Sequence, residues 1–125
     1  MSEVVNNAAQ SIALPQLNEG ETNAGIQFEN GKPHHWVLLL PGDNEGADHD
    51  SMLEWAKEQG GDLPSPEEHM LLRANLPGEF KRDYYWSNRK ERNGYAWYTD
   101  FSNGHQYCNH QSGKLRGRAV RRSFI

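Results

Sequence analysis

Cysteine is almost missing from this chain: Cys108 stands alone among 125 residues. That excludes an internal disulfide and any Cys-Xaa-Xaa-Cys site. Long apolar runs are missing as well. The longest, Trp36 to Leu40, has the length of a buried strand and falls far short of the roughly 18–20 residues of a membrane span. No membrane insertion is expected. The first residues lack a basic region followed by an apolar core, so no secretory signal is expected either. No Gly-rich phosphate loop occurs, and Ser87, Ser102 and Ser112 lie near turns outside any Gly-Xaa-Ser-Xaa-Gly elbow. The pair Glu67-Glu68 belongs to a helix start, where the helix dipole favours carboxylates. No catalytic residue can be named, no cofactor is expected, and the chain reads as a non-enzyme.

Acidic side chains, by contrast, are scarce only after residue 80. Residues 1–80 hold 14 acidic and 3 basic side chains, whereas residues 81–125 hold 3 and 10. The net charge of −4 hides this polarity. Either the basic half offers an anion-binding face, or the two halves neutralise each other within one fold.

Aromatic residues are present where charge and turns frame them. The run Tyr95-Ala96-Trp97-Tyr98-Thr99-Asp100-Phe101 has strand spacing and stops at Ser102-Asn103-Gly104. Residues 1–22 read as a polar arm, disordered or ordered only by a partner, ahead of one domain over residues 23–125. Ala24–Phe28 and His34–Leu40 flank Asn30-Gly31 and predict a β-hairpin with a type I′ turn. An acidic loop is expected over Asp43–Asp50. A short helix follows over Ser51–Gln59, capped by Asp50 or Ser51 and stopped by Gly60-Gly61. Ser65-Pro66-Glu67-Glu68 is a capping box with proline at the first helical position. That second helix is expected to bury Met70, Leu71 and Ala74. Strands are expected over Tyr84–Ser87, Tyr95–Phe101, Gln106–His110 and Leu115–Arg121. Hairpin, two helices, then antiparallel strands define an α+β class.

Along the expected strand Tyr95–Phe101, alternation puts Tyr95, Trp97, Thr99 and Phe101 on one face and Ala96, Tyr98 and Asp100 on the other. Trp55, Trp86 and Trp97 are assigned to the core. Tyr98 and Tyr107 fall either to the core or to an exposed stacking platform. In the last strand Arg116, Arg118, Val120 and Arg122 share a face. Arg118 is assigned a half-buried structural role, since an arginine fork can satisfy several acceptors at once. Arg116 and Arg122 join Lys81, Arg82, Arg89, Lys90 and Arg92 as candidates for an anionic partner, with Lys81–Arg92 as an exposed loop. His105, Cys108 and His110 are close in sequence, with His34-His35 elsewhere, but no zinc spacing is matched and no metal is expected.

An ordered set of segments carries a resemblance: Trp55-Ala56, Gly61-Asp62-Leu63-Pro64-Ser65-Pro66-Glu67-Glu68, Tyr85-Trp86-Ser87, Tyr95 to Gly104, and Arg118-Ala119-Val120-Arg121. Over roughly residues 50–122 the chain resembles the Lcl C-terminal domain family, named for a collagen-like bacterial adhesin and common among small phage and prophage proteins. The resemblance implies a C-type-lectin-like fold, related to formylglycine-generating and sulfatase-modifying domains: two helices flank a twisted antiparallel sheet, and the termini meet. The paired cysteines of the formylglycine-generating enzymes are missing. So are the Glu-Pro-Asn, Gln-Pro-Asp and Trp-Asn-Asp tripeptides of calcium-dependent lectins.

The resemblance therefore implies a binding module of phage or prophage origin, found in the host cytoplasm or the virion. Its expected partner is a host or virion protein, or an anionic glycan, held by Arg82, Arg89, Lys90, Arg92, Tyr98, His105, Tyr107, Arg116 and Arg122. An accessory or receptor-recognising virion role is the first expectation. An intracellular factor that binds and inhibits a host protein is the second. Single-stranded nucleic-acid binding ranks third, disfavoured by the acidic half. A homo-oligomer is compatible with all three.

Overall fold

The computed structural model describes residues 12–125. Its elements run β1 (Thr22–Glu29), β2 (Lys32–Leu39), β3 (Asn44–Ala47), α1 (His49–Glu58), α2 (Pro66–Asn75), β4 (Tyr84–Lys90), β5 (Tyr95–Asp100), β6 (Gln106–His110), β7 (Leu115–Gly117) and β8 (Val120–Phe124). The class is α+β. One three-stranded sheet has the order β1-β2-β8 and one five-stranded sheet the order β3-β7-β4-β5-β6.

The β1–β2 hairpin turns at Asn30 and Gly31, whose φ angles of 53° and 78° are the positive pair a type I′ turn requires. β2 carries the apolar run and lies between β1 and β8, so Val37, Leu38 and Leu39 are buried from both sides. Pairing of β2 with β8 brings the two ends of the domain together.

Helix α1 begins two residues before the expected start. Asp48, not Asp50 or Ser51, is the cap: its carboxylate accepts from the Ser51 N–H at 2.9 Å. In α2 the capping box forms in full, with Ser65 and Glu68 exchanging bonds of 2.8 and 3.0 Å. Its buried face differs from expectation. Glu68, His69 and Leu72 point inward, while Met70 and Ala74 are exposed. On that face Glu68 pairs with an arginine of β8, His69 with Thr99 of β5, and Leu72 packs in the core.

The two helices serve two cores. Leu72 of α2 packs with Ala24, Val37, Leu39, Phe80, Tyr85, Phe101 and Val120. Met52 and Ala56 of α1 pack with Leu40, Leu63, Trp86, Ala96 and Ala119, with Trp55 at the margin. Neighbouring residues of β4, Tyr85 and Trp86, thus enter different cores. Both sheet faces are covered, and this is why alternation alone misplaced Trp97. Trp97 is half-buried and joins neither cluster; Thr99, two residues on, is the one fastened to His69 of α2.

Three further expectations change. Leu115–Arg121 is not one strand: it breaks at Arg118-Ala119, and its halves join different sheets. β7 lies beside β4 in parallel, so the larger sheet is mixed. The acidic loop contains β3, and most of Lys81–Arg92 is β4 rather than loop.

The arm expected over residues 1–22 also divides. Residues 1–11 lie outside the described residues, and Thr22 already belongs to β1. Between them the chain crosses the three-stranded sheet. Trp36 Nε1–H donates to the Ala13 carbonyl at 3.2 Å, and Arg121 donates to the Gln16 carbonyl at 3.0 Å.

Candidate functional site

Strand register assembles the most conspicuous exposed feature. Trp86 stands opposite Tyr98, and Tyr98 stands opposite Tyr107. Tyr84, two residues before Trp86, points to the same side. Trp86 is sealed beneath α1, its Nε1–H donating to the Ala47 carbonyl at 2.9 Å. The rings next to it continue into the open. Tyr84 and Tyr98 have centroids 5.0 Å apart, Tyr98 and Tyr107 6.0 Å, and Tyr107 and His105 6.0 Å. The His105 ring and the Tyr107 hydroxyl share a hydrogen bond of 3.0 Å. Tyr84 is 44% and Tyr107 49% exposed, while Tyr98 is anchored on the α1-side core.

This row gathers three of the candidates named from sequence, Tyr98, His105 and Tyr107, and adds Tyr84. Tyr84 was missed because it was read only as the start of a strand. Its parity with Trp86 was the available signal. Asp100 borders the row. The Ser102 hydroxyl holds its carboxyl below the usual carboxylate range, and the charges of His105 and then Arg82 add to this. Burial, with Tyr84, Tyr107 and Asp100 beside it, pushes the Tyr98 hydroxyl up. The row offers flat ring faces edged by hydroxyls, one carboxylate and one arginine.

Most of the basic candidates are engaged elsewhere. Arg89 pairs with Glu67 at 2.9 Å, and Lys90 with Asp50 at 2.6 Å. Arg116 bridges Asp43 and Asp83 at 3.2 and 3.1 Å. Arg121 holds Glu21 at 2.8 Å and keeps that carboxyl down at about 2. Apart from Asp83, every one of these partners belongs to the acidic half of the chain. The charge polarity is thus spent largely inside the fold. Arg82 and Arg92 are exposed and have no carboxylate partner among the described residues.

Arg122 is the clearest correction to the candidate list. Its guanidinium donates to both Glu68 oxygens at 2.7 and 2.8 Å, to Asp62 at 2.9 Å and to the Leu63 carbonyl at 3.2 Å. Glu68 also accepts from His35 Nε2–H at 2.6 Å, and the Nδ1 atoms of His35 and His34 meet at 2.7 Å. Burial alone would raise the Glu68 carboxyl, but Arg122 and the Ser65 N–H outweigh it and hold it at about 2. The network clamps α2 to β2 and β8. Sequence showed Glu68 only as a helix cap, since nothing local announces a partner 54 residues away.

Arg118 is buried in the crossover between the sheets. It donates to the Glu79 carbonyl and, at 3.0 Å, to that of Leu40, and lies 5.4 Å from the Phe80 centroid. Turn carbonyls, rather than a close carboxylate, are what it holds.

His110 bonds Ser112 and His105 bonds Tyr107 at the surface, whereas His49 and His69, two histidines to which the sequence assigns no role, are fully buried. Burial drives the His69 imidazole down to about 3 and lowers that of His49. No group of three or more His, Cys, Asp or Glu side chains placed to share a metal occurs among the described residues. No helix among them is long and apolar enough to cross a membrane.

No family model and no curated protein matches the chain. The resemblance described from sequence therefore rests on its ordered motifs alone.

Proposed function

We propose that this chain is a non-catalytic binding module that grips a protein partner through the Tyr84–Tyr98–Tyr107–His105 row. The carrying observation is that three rings and an imidazole stand together, partly exposed, on the sheet face that Trp86 and α1 occupy beside them. Tyrosines held this way bury large area at small entropic cost, and their hydroxyls can pair with backbone groups of a partner. The internal neutralisation of the basic half favours a partner recognised by apolar contact over one recognised by charge.

The scaffold is read as C-type-lectin-like. Joined termini, two helices against a twisted sheet and the ordered motifs support that reading, although the parallel β4–β7 pairing departs from the expected all-antiparallel sheet. The phage or prophage origin, a cytoplasmic or virion location and a role as a virion accessory or host-protein binder follow from the same kinship and stand as part of the proposal.

A second reading has its own support. Arg82 lies near the row and has no carboxylate partner among the described residues, which suits an anionic glycan. Salt separates the two: capture of a partner from host lysate that persists at high ionic strength supports ring-driven protein recognition, and capture that falls steeply supports an anionic ligand. Failure of the protein to retain any lysate protein or any glycan on an array would overturn the binding reading.

A further inference from the structure

The two sheets present four outer strands: β1, β8, β3 and β6. Three are blunted in ways that deter pairing with other chains. β1 carries two register irregularities and Gly25 at φ 115°. β8 holds Arg121 and Arg122 and has its start capped by the Asp62–Val120 bridge. β3 is four residues long, acidic and irregular. β6 has none of these defences. Gln106-Tyr107-Cys108-Asn109-His110 pairs with β5 in unbroken register and contains no carboxylate, lysine, arginine or proline.

The free backbone groups of β6 follow from the ladder. Asp100 N–H donates to the His105 carbonyl, and Gln111 N–H to that of Gly94. Antiparallel bonding alternates, so Tyr107 and Asn109 also bond inward to β5. Gln106, Cys108 and His110 then direct their N–H and C=O groups outward, away from the sheet. Only the His110 carbonyl has a partner among the described residues, the Gly113 N–H.

We propose that β6 pairs antiparallel with β6 of a second copy of this chain, joining two five-stranded sheets across a two-fold axis at Cys108. In that register Cys108 faces its own counterpart, Gln106 faces His110, and Tyr107 faces Asn109. No like charges oppose one another, which a self-complementary two-fold interface requires. Tyr107 and Asn109 meet in the closer, non-hydrogen-bonded pairing, which brings the two tyrosine rows into one extended surface. The pairing does not depend on what those rows bind.

The single thiol makes the register measurable. Directly opposed, hydrogen-bonded residues have Cα atoms about 5.5 Å apart and Cβ atoms at the wide end of about 4.5–5.5 Å, too far for an unstrained disulfide but within reach of a short bis-maleimide. Light scattering over a concentration series is expected to show a dimer for the native chain and for Cys108→Ser. Cys108→Lys opposes two ammonium groups on the axis and is expected to give a monomer with an unchanged circular dichroism spectrum. A short bis-maleimide is expected to link the native dimer covalently through the two Cys108 thiols; since burial raises the thiol, the reaction belongs at neutral to slightly alkaline pH. A native chain that stays monomeric at every concentration overturns the proposal. So does a dimer that survives Cys108→Lys, or a native dimer that the bis-maleimide does not link, a result that stands even if the lysine variant fails to fold.

Discussion

At the residue scale, buried charge and buried imidazole govern how this protein responds to substitution and acid. Glu68 is 1% exposed and depends on Arg122. Arg122→Ala leaves that carboxylate with His35 and the helix cap alone, and a loss of about 3 kcal/mol is expected in urea unfolding. Arg89→Ala, which breaks an exposed pair with Glu67, is expected to cost no more than about 1 kcal/mol. The pH dependence has two stages, and the sign is the same in both. His69 is held at about 3 in the fold against an ordinary 6.5, so its contribution is whole above 6.5 and drains as pH falls towards 3. Glu68 and Glu21, each held at about 2 against an ordinary 4.5, add their losses only below about 4.5. Stability measured from pH 7 to 5 should therefore fall in the native chain and fall less in His69→Gln, with the remaining slope owed to His49. An identical slope in the variant would contradict the assignment.

Among the elements, caps and close approaches are the sensitive points. Ser65→Ala removes half of the capping box and is expected to cost about 1 kcal/mol. Gly61 lies against the backbone of Val120, and Gly117 against the side chain of Met52. A methyl at residue 61 meets a carbonyl that can move only with β8, whereas Met52 has rotamers to spare. Gly61→Ala should thus lower the melting temperature more than Gly117→Ala; the reverse order would show that α1 is the more tightly constrained element.

These same elements show how far sequence could reach. The Asn30-Gly31 turn, the Ser65 box and β6 are local patterns, and each was legible from a handful of residues. The break at Arg118-Ala119 was not, because alternation of Arg116, Arg118 and Val120 looks the same whether one strand or two carry it. The inward turn of Glu68 and the half-exposure of Trp97 depend on which face another element covers. For the site, Tyr98, His105 and Tyr107 were legible as ring-bearing strand positions. The pairing of Arg89, Lys90, Arg116 and Arg122 with acidic partners was not, because each partner lies at least 22 residues away.

For the whole molecule, the two halves of opposite charge fold against each other. Arginines that look available in sequence serve as ties between sheets, helices and the crossing segment at residues 12–21. What remains on the outside, besides Arg82 and Arg92, is a ring row beside α1, and the account predicts that binding follows the rings rather than the charge. The decisive measurement compares partner capture from bacterial lysate by two folded variants. Tyr98→Ala/Tyr107→Ala should lose the partner that the native chain retains, and Arg89→Glu/Lys90→Glu should keep it. Retention by the tyrosine variant with loss by the charge-reversed one would contradict the account.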